Sequence, residues 1–159
     1  MAARDPRRSM AYRPAFTLVE LVMVVMIVAI LTAVAAPKYR AALANYRADA
    51  AAGRIAADLR MVAAYARKVS IAQSVQFDAG ADSYAAPLFP DMNRQSTSYA
   101  VALRSSEYVA DVVAASFGGS ATVTFNIHGR PTAPGTVVVA SGTQQRTVQL
   151  DEAGNVSIL

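Results

Sequence analysis

The sequence predicts an α+β protein in which one long N-terminal helix packs on a small antiparallel β-sheet head. An apolar run with a single charge occupies residues 16–36, and an alanine-rich amphipathic pattern follows over residues 37–71. Short segments of alternating apolar and polar residues then fill residues 72–159. These three patterns are typical of a transmembrane helix, a stem helix and a β-rich head, preceded by a basic leader at residues 1–15.

Charge is distributed unevenly along the 159 residues, although the net charge is only +4. Residues 1–15 carry +3 and residues 38–68 carry +5, whereas residues 69–159 carry −3. The chain contains no cysteine, which excludes disulfides and thiolate metal sites. These values indicate a basic leader, a basic stem and a mildly acidic head.

The apolar run is long enough to cross a membrane. From Leu21 to Ala36 no residue is charged, and Thr32 is the only polar one. Extending the run back to Phe16 gives about 20 residues, the length that a helix needs to span roughly 30 Å of hydrocarbon. Because arginines cluster before the run, we expect a cytoplasmic N-terminus and a head on the opposite side of the membrane.

An ordinary cleaved secretory signal is the first alternative for this segment. Such signals have an apolar core of roughly 7–15 residues followed by small residues, and "AVAAPKY" has that small-residue character. The run is too long for such a core, and Glu20 lies inside its first turns. Both features favour a retained helix.

Glu20 is a carboxylate within an apolar run, and a charge in such surroundings usually has a partner. A carboxylate at the centre of a membrane helix costs roughly 2.5–3.5 kcal/mol, and less near its end. The apolar run contains no basic residue. A cut just before Phe16 would create a positively charged α-amino group four residues from Glu20, able to neutralise that carboxylate or one in a neighbouring helix. An incidental charge that snorkels to the membrane surface is the alternative.

The words "AFTLVEL" resemble the processing site of type IV prepilins and type II secretion pseudopilins. The resemblance implies that a prepilin peptidase removes the leader between Ala15 and Phe16, that Phe16 is N-methylated, and that Glu20 becomes the fifth residue. Pro37 matches the proline common at the twenty-second mature position. Ala15 departs from the usual glycine, which puts the rate of cleavage in doubt.

The stem pattern predicts a helix up to about residue 71, with a kink at Pro37, since proline removes an intrahelical hydrogen bond. Its basic residues are interpreted as a solvated face or a contact with anionic lipid headgroups, in preference to nucleic-acid binding. The apolar face is predicted to contain Tyr39, Leu43, Tyr46, Ala50, Ile55, Leu59, Val62, Ala66 and Val69.

The head is predicted to form an antiparallel meander of short strands. Residues 87–97 are expected to form a surface loop, 129–135 a turn or loop, and 105–117 either a strand or a helix. The expected strands are residues 75–77, 98–104, 121–127, 136–141, 144–150 and 155–159.

Two longer phrases resemble the minor pseudopilin group called GspH or FimT. One is "ADLRMVAAYARKVSIAQSVQF", leading from the stem into a strand, and the other is the C-terminal "VTFNIHGRP…GTVVVASG…RTVQLDEAGNVSI". The resemblance implies a pilin-like fold and a non-enzymatic subunit of a filament, with residues 16–36 in the filament core. It implies no cofactor.

Neither an enzyme nor a metal site is expected. His128, in "NIHGRP", is the single histidine of the sequence, and without a second histidine or a cysteine it cannot complete a zinc site. No histidine other than His128 could serve as the base that activates a serine. No EF-hand spacing, phosphate-binding loop or nucleophile elbow is present. DNA is an unlikely partner because the head is acidic and its arginines are dispersed.

Three functional hypotheses are kept, of which the first two follow from the resemblance. The first is a type II secretion pseudopilin near the filament tip, and the second is a minor pilin of a type IV pilus. The third is a signal-anchored binding domain without a filament. For the first two, the implied partners are prepilin peptidase, other pilins, the inner-membrane assembly platform and membrane lipid. The implied location is the inner membrane, with the head in the periplasm.

Overall fold

A long helix, α1, dominates the N-terminal half of the chain in this computed structural model, which describes residues 16–91, 98–105 and 108–159. The helix runs over Leu18–Val69, 52 residues, and contains Pro37. The predicted long helix is therefore confirmed. The chain divides into two compact units, 1–38 and Tyr39–Leu159.

The described part of the first unit is apolar and exposed. Within α1, an 18-residue window has a mean hydropathy of 2.8, and none of that window is buried. Among the described residues, α1 is the helix that is long and apolar enough to cross a membrane. By length and composition it is compatible with a single membrane anchor.

In the second unit, the stem part of α1 buries one face. The small size of its alanines lets the sheets approach closely, while Ile55, Leu59 and Val62 supply most of the buried volume. The buried apolar residues of α1 are Ala48, Ala51, Ala52, Ile55, Ala56, Leu59, Val62, Ala63 and Ala66.

The predicted apolar face is wrong at its beginning. Tyr39 and Tyr46 are both 71% exposed. Spacings of three and four residues continue through both tyrosines, but burial of the helix begins only at Ala48. Sequence periodicity shows which residues share a face but not where along the helix a partner begins.

The head contains eight described strands in two antiparallel sheets. The first sheet has the order β3-β2-β1-β5, and the second has the order β4-β6-β7-β8. The antiparallel head is confirmed, but it is not one meander, because β4 joins the second sheet between two strands of the first. The strands are β1 (Gln73–Asp78), β2 (Ser83–Pro90), β3 (Ser98–Ala102), β4 (Asp111–Phe117), β5 (Thr122–Phe125), β6 (Gly135–Ser141), β7 (Gln144–Leu150) and β8 (Val156–Ile158).

The loop expected at residues 87–97 is wrong in its first part, because β2 continues through Pro90. Prolines are tolerated here because the pairing of β2 with β3 shifts register between Ala86 and Pro90, where regular ladder hydrogen bonds are not required. Residues 92–97 lie outside the described residues. Residues 105–117, whose pattern allows either a strand or a helix, contain the strand β4. Residues 106–107 also lie outside the described residues.

Aromatic side chains fill the core between α1 and the sheets. Phe89 makes edge-to-face contacts with Tyr65 of α1 and with Tyr99 of β3, at centroid distances of 5.0 and 5.5 Å. Phe77 stacks on Phe117, which connects the first sheet to the second at 5.8 Å. These contacts join the helix and both sheets in one core.

Gly135, at the start of β6, has no room for a side chain. A Cβ atom there would overlap with the carbonyl oxygen of Ser116 and with Phe117. We expect Gly135→Ala to lower the free energy of unfolding by about 1–3 kcal/mol, since backbone must shift to accommodate it. Urea denaturation followed by circular dichroism measures the change.

Gly53→Ala is the control, because Gly53 lies in α1 and no atom beyond the adjoining helical backbone comes within 4 Å of the position that a Cβ would take there. Alanine favours helix, so this variant is expected to gain about 0.5–1 kcal/mol. Equal stability of the two variants would show that the close approach at Gly135 is absent in solution.

Candidate functional site

The start of α1 is capped by Thr17. Its carbonyl accepts a hydrogen bond from Leu21 N–H, and its Oγ1 accepts one from Glu20 N–H, both at 3.2 Å. Thr17 is therefore the N-cap, and Glu20 occupies the third helical position, as in a T-x-x-E capping box. The spacing of this capping box, from Thr17 to Glu20, is readable in the sequence.

Glu20 also lies where a helix best tolerates a negative charge. It is the acidic residue of the first turn, where unpaired N–H groups and the helix dipole favour an anion. Among the described residues, Glu20 makes no ion pair. Its position therefore lowers the cost of the carboxylate without providing a counterion.

The other predicted site residues are placed as follows. Phe16 is 78% exposed and precedes the helix, and Pro37 lies inside α1. Ala15 lies outside the described residues. The structure brings Thr17 and Glu20 together, whereas cleavage, N-methylation, the ion pair of Glu20 and the kink at Pro37 remain predictions.

A polar cluster on the buried face of α1 was not predicted. Asp58 is only 5% exposed, and its Oδ2 accepts hydrogen bonds from the hydroxyls of Tyr84 (2.5 Å) and Tyr99 (2.6 Å). Arg54, one turn earlier, donates its Nε–H to the same oxygen at 3.1 Å and its Nη2–H to the hydroxyl of Tyr99. The cluster thereby ties α1 to β2 and β3.

The cluster keeps its tyrosines protonated. Burial, with the adjacent Asp58 carboxylate, raises the pKa of Tyr84 well above its usual range. Burial and the hydrogen bond to Asp58 raise the pKa of Tyr99 to about 12. The hydrogen bond with Tyr99 is the main cause that raises the pKa of Arg54. Both hydroxyls are therefore hydrogen-bond donors at neutral pH.

A second polar cluster joins the two sheets. The Oδ1 of Asp82, in the turn before β2, accepts a hydrogen bond from Val112 N–H of β4 at 3.0 Å. Its Oδ2 lies 3.0 Å from Nε of Arg104, which also pairs with Asp111 at 2.9 Å. These contacts fix the place where the chain leaves the first sheet for the second.

His128 lies in an exposed turn. Asn126 Oδ1 accepts hydrogen bonds from the N–H groups of His128 and Arg130, which shapes the turn. Gly129 has a φ of 70° and approaches Ala63 and Arg67 of α1 too closely for a Cβ atom. Within the described residues, no group of three histidine, cysteine, aspartate or glutamate side chains is arranged to hold a metal ion. The turn therefore has a packing role against the helix.

Comparison with known proteins gives a family and a fold. Residues 51–154 match the family described as type II transport protein GspH. The type IV minor pilin FimU of Pseudomonas aeruginosa PAO1 is similar in structure in two crystal forms, P21 and P65, with TM-scores of 0.52 and 0.50. Both alignments have 15% identity and cover 70% of this chain, with 87% and 91% of the FimU chains.

No curated protein sequence matches the chain significantly. At 15% identity, the likeness to FimU shows the fold alone, which is a long N-terminal helix packed on small antiparallel sheets. The family match covers more than half of the chain and includes the last third of α1 and nearly all of the head. The protein therefore belongs to the GspH family, the GspH/FimT-type minor pseudopilins.

Proposed function

We propose that this protein is a minor pseudopilin of a type II secretion system, incorporated at or near the tip of the pseudopilus. The match to the GspH family over residues 51–154 carries the proposal. The exposed apolar half of α1 supports it, because such a surface needs either lipid or neighbouring helices to cover it. The family and fold are those of structural pilins and pseudopilins, so the proposed role is non-enzymatic.

The proposed maturation begins with prepilin peptidase cutting between Ala15 and Phe16, followed by N-methylation of Phe16. The new N-terminal amine is positively charged at neutral pH. In the assembling filament it pairs with Glu20 of its own chain or of a neighbour. A charge pair in surroundings of low polarity is much stronger than in water, so it selects processed chains in the correct register.

The proposed location follows from the same segment. Before assembly, residues 16–36 cross the inner membrane, with the N-terminus in the cytoplasm and the head in the periplasm. The assembly platform then transfers the helix from lipid into the core of the pseudopilus, where it packs on other pilins. Both environments are apolar, which suits the unburied helix of the first unit.

A role as a minor pilin of a type IV pilus is the second candidate, favoured by the structural likeness to FimU. The proposed processing and helix packing are the same in both systems. Deleting the gene separates them: loss of secreted enzymes from the medium supports the pseudopilus, and loss of surface pili supports the pilus.

The N-terminus of the mature protein tests the proposal. We expect mass spectrometry of the protein extracted from membranes to find a chain that begins at N-methylated Phe16. A chain that retains residues 1–15, or one cut near residue 36 by a signal peptidase, would contradict it. The second outcome would instead support a cleaved secretory signal.

Ala15 provides the matched control. Replacing it with glycine, Ala15→Gly, restores the small and flexible residue usual at this processing site, and we expect cleavage to be faster. The same mature mass in both variants, reached at different rates in a pulse-chase experiment, assigns the cut to prepilin peptidase. Neither product should form in cells that lack this peptidase.

A further inference from the structure

A cavity of about 410 Å³ lies beside the Asp58 cluster, between α1, the end of β2 and the start of β3. It falls within the range of roughly 300–1,000 Å³ that is common for binding pockets. The hydrophobic part of its wall is formed by Ala57, Met61 and Phe89. The polar part is formed by Arg54, Asp58, Tyr99 and Asp91. The pocket is therefore suited to a group that is apolar at one end and polar at the other.

Among the described residues, the carboxylate of Asp58 is hydrogen-bonded through one of its two oxygens. All three of its hydrogen bonds, from Arg54, Tyr84 and Tyr99, go to Oδ2. Oδ1 accepts none from the residues that the structure describes. The wall of the cavity thus presents a strong acceptor for an N–H or O–H group.

Arg54 presents a donor beside that acceptor. Its Nε and Nη2 are engaged by Asp58 and Tyr99, while Nη1 has no hydrogen-bond partner among the described residues. A free acceptor next to a free donor complements a peptide group, which offers one N–H and one C=O. Because Arg54 and Asp58 neutralise each other and Asp91 adds a negative charge to the wall, the cavity favours a neutral peptide group over an isolated anion.

The opening of the cavity lies on the exposed side of α1. Ala57 lines the cavity and is exposed, as are Arg60 and Ala64 at helical spacing along the same side. In the filament of the proposed function, an exposed side of the stem helix is where a neighbouring subunit packs. That neighbour is the polypeptide most able to reach the cavity.

We propose that this cavity binds an apolar side chain and its adjoining peptide group from a neighbouring pilin subunit. The side chain packs on Met61 and Phe89, the peptide N–H donates to Asp58 Oδ1, and the peptide C=O accepts from Arg54. This inference rests on the proposed function, since it requires a filament. It adds a specific docking contact in the head to the packing of the N-terminal helices.

The test uses the full-length chain in cells that assemble the filament. Met61, which lines the cavity, is replaced by a photoreactive diazirine analogue of methionine that has a similar size. After irradiation, peptide mapping by mass spectrometry identifies the cross-linked segment. We expect a covalent link to an apolar segment of another pilin subunit.

Ala57→Phe and Ala64→Phe are the matched variants. Phenylalanine at position 57 obstructs the cavity without removing any hydrogen bond of Asp58, and at position 64 it enlarges the same exposed side of α1 away from the cavity. We expect Ala57→Phe to reduce the cross-link about tenfold, the effect of losing one good contact, and Ala64→Phe to leave it nearly unchanged. Equal urea midpoints of the two variants establish that both are folded.

Three results would overturn the inference while leaving the proposed function intact, provided that the chain still enters the filament. One is a cross-link only to residues 92–97 of the same chain, and another is a cross-link only to a secreted protein. The third is an equal loss of the cross-link in both phenylalanine variants. If the unmodified chain does not enter a filament at all, the proposed function fails instead.

Discussion

Glu20→Ala is expected to leave membrane insertion intact and to remove the protein from the filament. Alanine makes residues 16–36 more apolar, so the helix should enter the membrane at least as well as the native one. In the proposed filament, the N-terminal amine of a chain cut before Phe16 would then lose its counterion in apolar surroundings. Removing one partner of such a pair typically costs about 3–5 kcal/mol, which lowers incorporation on the order of a hundredfold or more.

The measurement compares the amount of the chain in the membrane fraction with the amount in purified filaments. Thr32→Ala is the matched control, since Thr32 is the other polar side chain of the apolar run. Its hydroxyl donates to the carbonyl of Val28 in the preceding turn at 2.7 Å, so its loss leaves the helix without an unpaired group. Normal incorporation of Glu20→Ala would refute both the pseudopilus and the pilus hypotheses.

The substitution Thr17→Ala separates two local effects of Glu20, its part in the capped helix start and its negative charge. The hydroxyl of Thr17 caps the helix at the N–H of Glu20, and its loss should cost about 1 kcal/mol of helix stability while leaving the carboxylate in place. Filament defects that arise from a frayed helix start are expected in both Thr17→Ala and Glu20→Ala. Defects that arise from the missing charge are expected only in Glu20→Ala.

Asp58→Ala is expected to destabilise the head by about 2–5 kcal/mol, because two buried tyrosine hydroxyls lose their acceptor at about 1–3 kcal/mol each. Tyr84 is buried between the helix and the first sheet, where water cannot easily replace the carboxylate, whereas Tyr99 borders the cavity and can be partly rehydrated, so the loss stays below the full sum. Arg54 is half-exposed and can turn towards solvent, so its contribution to the loss is smaller. Urea denaturation of the full chain in detergent, followed by circular dichroism, measures the effect.

Asp49→Ala is the control for this prediction. Asp49 also lies on α1 and pairs with an arginine of the head, Arg146, but its side chain is more than half exposed. Exposed ion pairs contribute only about 0–1 kcal/mol, so the midpoint should hardly move. If the two variants unfold at the same urea concentration, the Asp58 cluster does not stabilise the head.

The sequence by itself determined the parts of this protein whose structure depends on local chemistry. The uncharged stretch from Leu21 to Ala36 identifies an apolar helix without reference to the rest of the chain, because its length and hydropathy suffice. Alternating residues bounded by glycine and polar turns also placed β6 and β7 to within one residue. The resemblance to a prepilin processing site is local as well, because it rests mainly on residues 15–21.

Only the tertiary structure decided which residues meet across the core. Asp58 stands in the amphipathic stem between Ile55 and Leu59, so its position hinted at burial, but its two tyrosine partners lie 26 and 41 residues away. The division of the strands between two sheets is likewise seen only in the folded chain, where Asp82 beside β2 accepts a hydrogen bond from Val112 N–H of β4. Such contacts follow from how the elements pack in space, and spacing along the chain carries no information about them.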